Sequence, residues 1–161
     1  MDSEEPMIIL DSNLWVFGSL GHHDRAAALL DEIERGETIS AISAYMVQEV
    51  VNAFARTPQL TPAQRDEAQT VFLTRLHQMT GLLEAPSSRD MTETILDETR
   101  TTTSVRFIGQ TLAIQPKDVP ILLLAYKHAD REPTILTNDE SFAECVPAEY
   151  NHPTITIDYV P

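Results

Sequence analysis

The strongest constraint in this chain is the run Met7-Ile8-Ile9-Leu10-Asp11-Ser12-Asn13. Four apolar residues lead straight into an acid and two small polar residues. A continuous apolar run with polar bounds reads as a strand buried on both faces. An acid at its C-terminal end would stand at the edge of a parallel sheet, where open α/β folds place their chemistry. Such an acid needs hydrogen bonds or a cation to offset its desolvation. What matters next is which other groups the chain brings to Asp11.

Downstream, strand and helix patterns alternate. Residues 14–20 form an apolar, partly aromatic segment containing Trp15 and Phe17. Residues 22–34 read as a helix, with Ala26, Leu29, Leu30 and Ile33 at helical spacing and Gly36 as a stop. Residues 38–42 are β-branched and read as a second strand. Ser43 then suits an N-cap for a helix over 44–56. Thr61-Pro62-Ala63-Gln64 starts a further helix with a capping box, running to about Met79. Residues 82–85 read as a third strand and 87–99 as a helix. Residues 101–115, with the hydroxyl run from Thr101 to Ser104, suggest an irregular or short helical connection. Residues 118–129 form a helix that is apolar nearly all round and therefore buried. A strand over 134–137, a helical turn over 141–145 and a strand over 154–160 complete the pattern. At 161 residues this predicts one domain. Its fold class is a three-layer α/β/α sandwich around a central parallel sheet of four to five strands.

Charge narrows the function classes. Asp and Glu number 25 against 11 Lys and Arg, a formal net charge of −14, and Lys117 and Lys127 are the only lysines. Dispersed acids such as Asp31, Glu32, Glu34, Glu37, Asp66 and Glu67 suggest an acidic surface of the kind that suits high salt. A second reading gives the acids to a metal or a basic partner. Either argues against tight non-specific nucleic-acid binding at ordinary salt. Cys145 is the only cysteine, so no intramolecular disulfide forms. The acidic start of the chain is not a secretory signal, and no apolar run reaches the ~20 residues of a membrane span. A reducing cytoplasm is the default expectation.

Three further acids occupy positions that a parallel sheet could bring to Asp11. Asp118 opens the most buried helix, Asp139 follows the fourth strand, and Glu49 sits on the boundary of a helix's apolar stripe. Each has a plain structural alternative: Asp118 as an N-cap, Asp139 as a turn residue, Glu49 as a solvated helix residue. If the acids converge, their mutual repulsion requires a divalent cation. All-oxygen ligands select Mg²⁺ or Mn²⁺, and the matching reaction is phosphodiester hydrolysis. His22-His23 lacks the spacing of a zinc site. Glycine-rich phosphate loops and nucleophile elbows are absent.

These residues also resemble a known family. Ile8-Ile9-Leu10-Asp11-Ser12-Asn13, Ser43-Ala44-Tyr45-Met46-Val47-Gln48-Glu49-Val50, Lys117-Asp118-Val119-Pro120-Ile121 and Ile135-Leu136-Thr137-Asn138-Asp139-Glu140-Ser141-Phe142 are together similar to the motifs of PIN-domain ribonucleases, in particular VapC-like toxins. The resemblance covers nearly the whole chain. It implies a PIN-like fold in which Asp11, Glu49, Asp118 and Asp139 bind Mg²⁺ or Mn²⁺, with Ser12, Asn13 and Thr137 as positioning residues. It further implies an RNA substrate cut to leave a 5′-phosphate, a cognate antitoxin as partner, and a homodimer. Family members commonly carry a further acid where this chain has Ser141, so a first metal site is implied more than a second. Two alternatives stand beside it. One is a non-catalytic PIN-like domain that binds RNA or protein. The other is an aspartyl-phosphate phosphatase of the haloacid dehalogenase kind, which wants an aspartate where this chain has Asn13.

Overall fold

The computed structural model describes residues 6–150 and 154–161. The acidic segment of residues 1–5, read above as no secretory signal, lies outside them. The opening apolar run forms β1, Ile8–Leu10, and Asp11 takes the N-cap position of α1, Ser12–Ser19. Sequence pattern leaves α1 unassigned because Leu14, Trp15 and Val16 are buried in succession, which blurs the helical stripe. It packs on α2, Asp24–Arg35, at Gly18, where a Cβ would lie 2.9 Å from Leu30 Cδ1 and 3.0 Å from the Ala26 backbone. Gly36, at φ 77°, ends α2 in the left-handed cap that glycine favours.

β2, Ser40–Ala41, leads into α3, Ala44–Arg56, capped by Ser43. α4, Pro62–Gln78, opens with the expected Thr61–Gln64 capping box, and β3, Leu82–Glu84, follows. The single helix expected next is two: α5, Ser88–Glu93, and α6, Leu96–Thr101. Gln48 accounts for the break. Its Nε2 donates to the carbonyls of Met91 at 2.8 Å and Thr94 at 2.7 Å, occupying acceptors near the end of α5. Of the two forms expected for the next connection, irregular or short helical, the helical one holds: it is largely α7, Thr103–Leu112, whose N-cap Thr102 accepts from the Val105 N–H. That part of the hydroxyl run is a cap. α8, Val119–Lys127, β4, Thr134–Thr137, α9, Glu140–Ala143, and β5, Thr156–Tyr159, complete the order.

The architecture is the expected α/β arrangement of a parallel sheet flanked by helices, with one correction. The main sheet holds three strands in the order β1-β4-β5, not four to five. β2 and β3 form a separate parallel pair. Chain geometry gives the reason: after the Gly36 turn only Ile39 reaches β1, bridging Met7, before Ser40 and Ala41 pair with β3. Met7, Ile9, Leu10, Ile42 and other fully buried apolar residues form one continuous core. Its aromatic centre is Phe72, with Trp15 at 6.1 Å and Phe54 at 5.8 Å, both edge-on. No helix among the described residues is long and apolar enough to cross a membrane.

This topology aims three chain segments at one edge. β1 and β4 are parallel neighbours, with Ile8 opposite Thr134 and Leu10 opposite Leu136. Asp11 and Asp139 therefore leave the sheet at the same end. α8 begins at Asp118, and its Val119, Ile121 and Leu122 sit in the core.

Candidate functional site

Asp11 is 5 % exposed and Asp118 is 4 % exposed, against the usual solvated state of carboxylates. Asp11 is anchored by one strong donor: the Thr137 hydroxyl gives its Oδ2 a 2.6 Å hydrogen bond. The same hydroxyl accepts the Asp139 N–H at 3.0 Å, so Thr137 ties the two strand ends together. Burial pushes the Asp11 carboxyl above its ordinary value; the Thr137 hydrogen bond opposes this, and the Glu49 charge adds to it.

Asp118 stands at the N-cap position of α8, yet its side chain makes no capping hydrogen bond. Among the described residues it has no hydrogen-bond donor or ion-pair partner at all. Its pKa is pushed up to about 7, first by burial and next by the Asp11 charge; Lys117 opposes, while Asp139 and Glu49 add to the rise. The plain capping alternative therefore does not describe this residue.

Asp139 does two things. Its Oδ1 accepts the N–H groups of Ser141 at 2.9 Å and Phe142 at 3.4 Å, capping α9. Its Oδ2 lies 4.0 Å from the Lys117 ammonium. Glu49 is no solvated helix residue, since its side chain is only 14 % exposed. Oε1 accepts the Ser12 hydroxyl at 2.7 Å and Oε2 accepts the Arg100 guanidinium at 2.9 Å. Asn13 is exposed on the first turn of α1, and its side chain makes no hydrogen bond among the described residues. Ser141 is exposed as well.

Two residues that sequence reasoning left out of the site belong to it. Arg100 holds Glu49 and also donates from Nε to the Tyr45 hydroxyl at 2.8 Å, with its guanidinium 5.5 Å from the Tyr45 ring centre. Tyr45 in turn donates to the Lys117 carbonyl at 2.9 Å. Tyr45 and Glu49 are four apart on α3, which places them on one face; that spacing was the available signal. Arg100 carried none, because it ends a short helix whose limits depend on Gln48. Beside this rim runs a groove of about 450 Å³ lined by Gln48, Glu49, Asn52, Arg56 and Arg100.

Among the described residues, no group of three or more His, Cys, Asp or Glu side chains is arranged to hold a metal ion. The donor set nevertheless fits a hard divalent ion, which needs only one or two carboxylates, waters and a substrate phosphate. Asp11 and Asp118 are buried and mutually repelling, and among the described residues neither has a close ion-pair partner, though the Lys117 charge acts on both. Asn138, between Thr137 and Asp139, adds a buried side-chain oxygen with no hydrogen-bond partner. His23, by contrast, caps α2 by accepting the Ala26 N–H.

No protein-family model matches the chain, and no curated protein sequence does. Solved structures do. The crystal structure of VapBC2 from Rickettsia felis, bound to a DNA fragment from its promoter, superposes with a TM-score of 0.52 at 14% identity, covering 96% of this chain and 99% of that one. FitAcB from Neisseria gonorrhoeae matches with a TM-score of 0.52 at 18% identity, covering 96% of this chain and 98% of the other. At such identities the likeness is one of fold: this chain has the PIN-like α/β fold of those structures over nearly its whole length.

Proposed function

We propose that this protein is a Mg²⁺- or Mn²⁺-dependent endoribonuclease and the toxin of a toxin–antitoxin pair. Asp118 is the observation that carries the reading. A buried carboxylate with no donor, set beside a second buried carboxylate, costs folding free energy that a proton relieves at low pH and a bound cation relieves once the group ionises. Asp11 and Asp118 would hold the ion, with Glu49 and Asp139 completing the acidic wall. A bound divalent ion supplies charge for the phosphate oxygens and activation of water. Thr137 keeps the Asp11 carboxylate oriented, and Ser12 does the same for Glu49. Lys117 and Arg100 lower the negative potential that a phosphodiester must enter. The groove beside Glu49, with exposed Arg56 on its wall, gives the flanking nucleotides a path. Partners come from the same reading: RNA as substrate, a small antitoxin protein covering the acidic edge, and a second copy of the chain. That the R. felis neighbour was solved with promoter DNA fits a toxin–antitoxin setting.

The test is cleavage of a labelled RNA with Mn²⁺, run in both dilute and molar KCl because of the −14 charge. Asp11→Asn and Asp118→Asn should each reduce cleavage to background while circular dichroism stays native. Unchanged cleavage in both variants removes the reading. A binding-only PIN-like domain is the second reading, and one observation favours it: Glu49 is already neutralised by Arg100. It predicts RNA binding without cleavage and no heat on titration with Mn²⁺.

A further inference from the structure

Glu49 is accounted for without any metal. Both carboxylate oxygens are in use, one by Ser12 at 2.7 Å and one by Arg100 at 2.9 Å. Arg100 is not free to leave easily: it is also bonded to the Tyr45 hydroxyl at 2.8 Å, with its charge 5.5 Å from the centre of that ring, and Tyr45 is fixed to the Lys117 carbonyl. A planar guanidinium held by several directed contacts loses little further freedom in gripping a carboxylate. Asp139 is engaged in a similar way, with one oxygen capping α9 and the other facing Lys117. Asp11 and Asp118 alone have no ion-pair partner among the described residues. Four carboxylates against two cations leave two negative charges at this edge, the charge of one divalent ion.

We infer that Arg100 is a positioning residue that withholds Glu49 from the metal, so that the site takes one divalent ion on Asp11 and Asp118 and not two. The inference rests on the metal-dependent reading above and goes beyond it by fixing the stoichiometry and naming the residue that sets it. Arg100 acts through Glu49 and need not touch substrate. Removing it exposes a free carboxylate beside an occupied site, which creates a second seat.

Mn²⁺ alone, titrated into the full chain at pH 7.5 without RNA, tests this by calorimetry and by electron paramagnetic resonance of the free ion. The wild-type protein should bind one Mn²⁺. Arg100→Met should bind two, and the first should bind about tenfold tighter because a nearby positive charge is gone. Arg100→Lys should keep one. The double variant Arg100→Met/Glu49→Gln removes both members of the pair and should return to one. Tyr45→Phe, which loosens Arg100 and also frees the Lys117 carbonyl, should give an affinity between wild type and Arg100→Met, and it keeps the test decisive should Arg100→Met fail to fold. Two ions in the wild type overturn the inference, as do one ion at unchanged affinity in Arg100→Met and an unchanged affinity in Tyr45→Phe. A second ion that persists in the double variant overturns it too. No Mn²⁺ in the wild type at all overturns the metal-dependent function along with it.

Discussion

The acidic edge has two walls, built on different principles. The inner wall is Asp11, Asp118 and Thr137, at the ends of β1 and β4 and the start of α8; the outer wall is Glu49, Arg100 and Tyr45, on α3 and α6. The inner acids are buried with one side-chain donor, the Thr137 hydroxyl on Asp11, and no close ion pair among the described residues. The outer acid is neutralised by a guanidinium and a hydroxyl. Burial raises the pKa of both inner carboxyls. The same residue type thus serves two ends: the inner wall stores unfavourable charge that a ligand can relieve, and the outer wall is stable as it stands.

If this contrast is right, Asp118 makes stability depend strongly on pH. Its pKa near 7 in the fold lies above the 3.8 of a free carboxyl, so between about pH 4 and 7 the native state holds a proton that the unfolded state has lost. The metal-free protein should therefore lose stability as pH rises through that window, by a total on the order of 4 kcal/mol from this group. Other carboxylates contribute with their own signs. The clean measurement is the difference between wild type and Asp118→Asn in EDTA, by denaturant titration across pH 4 to 8. The Asp118→Asn variant should be the more stable of the two at pH 8 and should lose its advantage at pH 4. A difference that stays flat across the window breaks the contrast. Addition of Mn²⁺ at pH 8 should recover much of the wild-type deficit.

A smaller effect compares the two hydroxyls. Thr137→Val leaves the buried Asp11 carboxylate without its side-chain donor, with the Ser12 N–H remaining, and should cost about 2 kcal/mol, the range for a hydrogen bond to a charged group. Ser12→Ala should cost about 1 kcal/mol or less, because Glu49 keeps Arg100. Equal costs in thermal denaturation would mean that the inner and outer acids are held alike.

The two walls also differ in how far sequence could disclose them. Asp11 and Asp139 end apolar strands, and Asp118 opens an apolar helix. Their placement follows from strand order and from burial, which an apolar run reports directly. Glu49 could be placed on a helix, but nothing local required it to face Asp11; that direction depends on Ser12, Arg100 and the packing of α3. Arg100 was hidden because α5 and α6 are separated by a tertiary contact, the Gln48 amide on the carbonyls of Met91 and Thr94. α1 was hidden for the opposite reason: the successive burial of Leu14, Trp15 and Val16 blurred its periodicity. The reduced sheet has a similar origin, since the single Ile39–Met7 bridge is a matter of loop path that residue pattern does not encode.

The smallest effect per residue is the most widely spread and separates surface charge from site charge. Exposed acids such as Asp66 and Glu67 have no cation partner among the described residues, while Asp31 and Glu34 share Arg75. Repulsion among the exposed ones acts through water and is screened as the Debye length falls to about 3 Å at 1 M salt. Asp11 and Asp118 repel one another inside the protein, where salt screens much less. Raising KCl from 0.05 to 1 M should therefore raise the melting temperature of wild type and Asp118→Asn by the same amount. A salt response that vanishes in Asp118→Asn would place the strain of the −14 charge at the inner wall, not across the surface. A melting temperature that falls with salt in both variants would mean that ion pairs such as Arg75 with Asp31 outweigh the repulsion.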